Sequence, residues 1–183
     1  MEKGEQAAIQ NECRILQKRI AELPQRVSRV QKLLCANPAL ESAGLVSGLF
    51  RENAYTEDLQ ALRIAMTKAL RFLDSHFLQL SAVKESFRAI REDAEKDLQD
   101  LQGCALKADL SRETSISQSI FQVGQIIVSL KERDARLSAQ MEEINTARQE
   151  LRNALSQTKA ASLLLSLKDL SDRLEKLRNE SGS

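Results

Sequence analysis

Apolar residues stand at positions 9, 13, 16, 20, 23, 27, 30 and 34, so steps of four and three alternate from Ile9 to Leu34 without a miss. This is a heptad seam, the spacing that lays one helix along another. The alternation returns in two later and longer stretches, which commits most of the chain to long helices that bury their stripes on each other. Composition agrees: aromatic residues make up 3% and charged residues 29%, while Leu, Ala, Glu, Gln, Lys and Arg, all good helix formers, dominate. The closely spaced turn signals that a β architecture needs are missing.

The first helix is expected from about residue 5 to 36, with Cys13, Ile20, Val27 and Leu34 in one row and Ile9, Leu16, Leu23 and Val30 in the other. Pro24 removes one backbone hydrogen bond and crowds the carbonyl of Ile20, which predicts a kink near residues 20–23. The seam keeps its phase across it, so a kink is expected rather than an end. Asn37-Pro38 reads as a cap and first helical residue opening a short segment over 38–50, weakened by Gly44 and Gly48. Thr56, followed by Glu57 and Asp58, is the expected cap of a second long helix over about 57–102, with Gly103 as its stop. Between Leu59 and Val83 that helix carries surplus apolar residues, among them Ile64, Phe72 and Phe77, whereas from Arg88 to Gln102 it thins to a narrow seam on a charged rod.

A third long helix is expected over about 110–160, capped by Asp109 or Ser111. Its rows hold Ile116, Val123, Leu130, Leu137, Ile144 and Leu151 beside Ile120, Ile127, Met141 and Leu155. Asp134 and Arg148 fall at core-row positions, where polar groups penalise wrong alignments, and are read as register-setting residues. The phase slips near Lys159 to Ser162 and restarts through Leu163, Leu167, Leu170, Leu174 and Leu177, giving a short C-terminal helix over about 162–179. The expected fold is therefore all-α: a single elongated antiparallel bundle or coiled coil over 1–183, made of three long helices and a short fourth.

Hairpin arithmetic then fixes a trial register. Folding about residue 46 sets Ile9 beside Val83, and folding about residue 106 sets Leu151 beside residue 61. Both neighbours fall on the wide stripe of the second helix, and residues 84–128 are left as a two-helix arm. In such an arm Ile116, Ile120, Phe121, Val123 and Ile126 exceed what one charged partner helix covers, so they are read as a partner-binding set serving self-association or a partner helix. The competing expectation is that the first or fourth helix folds over them.

Chemistry has little to stand on. His76, the sole histidine, sits in the seam of the second helix and reads as a core position. Cys13, Cys35 and Cys104 have no ligand spacing and read as three free thiols of a reducing compartment. No Gly-rich phosphate loop or activated nucleophile is present, so no enzyme activity, cofactor or metal is expected. The 27 basic and 26 acidic residues are interspersed, which argues against nucleic acid and anionic lipid as ligands. Neither a long uncharged apolar run nor a signal-like start is seen, so an intracellular, cytoplasmic or nuclear protein is expected. The leading functional expectation is a non-enzymatic coiled-coil interaction or scaffold subunit of a cytoskeletal, kinetochore, centrosomal or tethering complex. A crescent-shaped peripheral membrane dimer and a bacterial effector or secretion-apparatus protein are the alternatives.

Overall fold

The computed structural model describes residues 3–35, 59–110, 113–156 and 172–176. Three long helices, α1 (Lys3–Cys35), α2 (Leu59–Lys107) and α3 (Thr114–Ser156), are joined by a short helical stretch, α4, at residues 172–176. Among the described residues there is no strand, and the fold is all-α and antiparallel, as the heptads require. The expected segment at 38–50 lies outside the described residues, as does most of the expected helix at 162–179. α1 runs through Pro24 without a break, with the proline on its exposed face.

The boundary between α2 and α3 differs from the sequence expectation. α2 does not stop at Gly103 but continues to Lys107, and the residue that ends it is Asp109, held at φ 55°. The Leu110 N–H donates to the Ala105 carbonyl at 2.9 Å and the Asp109 N–H to the Leu106 carbonyl at 3.3 Å, which together form a Schellman cap. α3 starts at Thr114, later than expected, where the Glu113 carbonyl accepts from the Ser117 N–H at 3.1 Å. The turn is thus centred several residues beyond 106, and the α2–α3 register moves with it: Arg148 meets Asp74, where folding about residue 106 had predicted residue 64.

The chain forms two compact units, the first from residues 1–31 and 84–136, the second from 32–83 and 137–183. In the first unit α1 runs antiparallel to the C-terminal half of α2. Arg19 approaches Asp97 at 2.9 Å and Arg26 approaches Asp93 at 2.7 Å. This overturns the trial register, which had placed α1 on residues 58–83. The reason is the one that made residues 116–128 conspicuous: their apolar surface needs cover, and α1 supplies it. Leu16, Ile20 and Leu23 of α1 are buried in this unit, as are Phe87, Ala94 and Leu101 of α2 and Ile116, Val123 and Leu130 of α3. The expected two-helix arm is a three-helix bundle.

In the second unit the wide stripe of α2, with Met66, Ala69, Leu73 and Leu80 buried, is matched by Leu137, Ile144, Ala147 and Leu151 of α3 and by Leu174 of α4. α4 runs antiparallel to α3, since Arg173 meets Glu150 at 3.1 Å and Lys176 meets Glu143 at 3.5 Å. Each unit is therefore a stretch of the α2–α3 hairpin plus one further helix.

Candidate interaction face

The five residues singled out as a partner-binding set part company in the structure. Ile116 and Val123 are core residues of the first unit, sealed inside it. Ile120 and Ile126 are half-buried, Ile126 lining an open groove of about 550 Å³ with Pro24, Val27, Leu130 and Arg133. Phe121 alone is exposed, at 68%, and the side chain that shares its face is Val128, seven residues on and 54% exposed. Packing of α1 on the inner side of α3 is what splits the set; an apolar surplus read from sequence does not say which side will be covered.

The outer face of α3 has a second property. From Thr114 to Leu130, seventeen consecutive residues carry no charge, in a chain in which charged residues make up 29%. The exposed positions of this run are Ser, Thr, Gln, Phe and Val, whereas a solvated helix face normally carries Lys, Arg and Glu. Gly124 lies on this outer side between Phe121 and Val128. A Cβ built there meets nothing within 4 Å, and its backbone has an ordinary helical φ, so among the described residues neither packing nor conformation calls for glycine. A helix-interior glycine nevertheless costs about 1 kcal/mol relative to alanine. The run ends at Glu113 on one side and at Lys131 on the other, and Lys131 lies 3.4 Å from Glu95 of α2.

The two register-setting candidates behave differently from each other. Arg148 leaves the core centre to Ala147, which is buried, and lies at its edge. There its guanidinium donates to Asp74 at 2.6 Å and covers the Phe77 ring, 4.9 Å from the centroid. A charge at a core-row position thus finds both an acid and an aromatic face in one alignment of α2 and α3. Asp134 is half-buried and near Arg88, whose guanidinium is stabilised chiefly by Glu92 and Glu85 on its own helix.

Four buried titratable side chains stand out among the described residues. Asp97 is almost fully buried in the first unit, and burial pushes its carboxyl above the usual range against the opposing pull of Arg19. The Cys13 and Cys104 thiols, remote in sequence, hydrogen-bond to each other between α1 and α2, and burial raises Cys104 to about 11. Both are free thiols in neutral form. In the second unit His76 stacks on Phe72 with ring centroids 5.9 Å apart, and burial lowers its pKa, so the ring is neutral near pH 7. Among the described residues no three side chains of metal-ligand type stand together. None of the described helices is long and apolar enough to cross a membrane. Sequence reasoning missed the thiol contact, the buried Asp97 and the open space beside Gly124. Of these, Asp97 carried a signal, because it occupies the heptad seat between Ala94 and Leu101.

Compared with family models, curated proteins and solved structures, the chain matches none.

Proposed function

We propose that this chain is a non-enzymatic interaction protein that presents the outer face of α3 to a protein partner, as a subunit of a larger intracellular assembly of the cytoskeletal, kinetochore, centrosomal or tethering kind. The observation that carries this reading is the uncharged face with Phe121 and Val128 in the open. Burying both gains roughly 1.5–3 kcal/mol each before association costs are subtracted, enough to make them anchors of a small interface. An uncharged rim of Ser, Thr and Gln loses little on desolvation compared with a charged one.

Affinity capture from native extract tests the reading, with the wild-type chain and Phe121→Glu/Val128→Glu as paired baits. Proteins recovered by the wild type and lost by the double variant are expected. Identical recoveries on both baits would remove the face from the account.

A further inference from the structure

We infer that the occupant of the α3 face is a second copy of this chain, docked antiparallel across a two-fold axis near Gln122; the inference rests on the reading of that face as an interaction surface. A two-fold interface must be self-complementary, since the same patch is presented by both subunits. The Thr114–Leu130 run meets this requirement because it carries no charge to repel its own copy. Its midpoint is Gln122, and rotation about that point lays the run on itself.

The register that results pairs side chains sensibly. Phe121 faces Gly124 of the partner subunit, and Ser117 faces Val128 of the partner subunit, in each case within one residue. Gly124, whose missing Cβ leaves open space among the described residues, then acquires a purpose as the hollow that receives the Phe121 ring of the neighbouring copy. At the ends Glu113 comes opposite Lys131 of the partner subunit, and the reverse contact closes the other end. Both residues are exposed in the single chain, and Lys131 would then lie between Glu95 and an acid of the second copy. A parallel, in-register pairing would instead set Glu113 on Glu113 and Lys131 on Lys131, which like-charge repulsion disfavours. Since the face spans roughly 25 Å of helix, the interface falls at the small end of the specific class and holds with a dissociation constant on the order of micromolar.

The test is sedimentation velocity of the full chain from about 1 to 100 µM, a range that brackets such a constant. The wild type is expected to pass from monomer to dimer across the series. Gly124→Leu fills open space in the single chain and adds a better helix former, so its circular dichroism and melting temperature should not fall, while dimerisation weakens at least tenfold. Glu113→Lys should weaken it as well, and, in a Glu95→Gln background that spares the new acid at 131 a like-charged neighbour within the chain, Glu113→Lys with Lys131→Glu should restore it, an exchange that only the antiparallel pairing rewards. A wild type that stays monomeric throughout overturns the inference, as does a Gly124→Leu chain that dimerises as tightly as the wild type or a double exchange that fails to rescue. The broader reading fails separately. A monomeric wild type that still captures proteins lost by Phe121→Glu/Val128→Glu leaves the face in use by a different partner, and one that captures none removes both.

Discussion

Asp97 holds a seat in the α2 seam where the heptad spacing calls for an apolar side chain, and the fold closes over it with Arg19 in contact and Arg26 at longer range offsetting part of the loss of water. The contact at 2.9 Å is a charge contact, since Asp97 Oδ1 has no aligned hydrogen bond. Desolvation raises the carboxyl above its ordinary value of 3.8, so the folded chain holds this proton more firmly than the unfolded one. Stability therefore falls as pH rises from 3.8 through the raised value, and above that window the ionised carboxylate is a constant burden. Asp97→Asn is expected to melt about 2–4 °C higher than the wild type at pH 7, the shift that 1 kcal/mol gives in a chain of this size, with the difference closing as pH falls toward 4. Calorimetry across pH 4–7 checks both the sign and the convergence. Single-residue detail of this kind was only partly legible in the sequence. The seat of Asp97 could be counted, but its burial depended on α1, and the Cys13–Cys104 contact depended on a register that no local spacing encodes.

The helices themselves were legible where periodicity was long, and their ends were not. α1 and α2 follow the expected rows almost residue for residue, because a stripe repeated over many turns has one way to be buried. The stop of α2 was misplaced because Gly103 has the right composition for a cap, whereas the capping geometry is taken up by Asp109 six residues later. An aspartate in the left-handed region bears strain that glycine does not. Asp109→Gly should therefore raise the melting temperature by about 2–4 °C, corresponding to roughly 1 kcal/mol, as followed by circular dichroism. A fall in melting temperature would show that the aspartate side chain does more for the turn than its backbone conformation costs. In α3 the sequence put Arg148 in the core row; desolvating a guanidinium is costly, so the helix turns Ala147 inward and leaves Arg148 at the edge with Asp74 and Phe77.

At the scale of the whole molecule the class of fold and the antiparallel sense were legible in the heptads, whereas the neighbour of α1 was misassigned. Two stretches of α2 competed for it, and width of stripe favoured residues 58–83; the deciding quantity was the uncovered surface on α3, which a pairwise count of α1 against α2 ignores. With Arg19 on Asp97 and Arg26 on Asp93, Lys18 stands close to Lys96. An amine-reactive crosslinker of ordinary reach is expected to join Lys18 to Lys96, read by peptide mass spectrometry; a Lys18–Lys68 link in its place would return α1 to the hairpin register. The division of the chain into interleaved segments also bears on its birth at the ribosome. The greasy row from Cys13 to Leu23 is synthesised first, yet the surfaces that shelter it belong to residues 84–136. At typical elongation rates it travels bare for about 5–20 s, a delay during which nascent-chain chaperones have an obvious client.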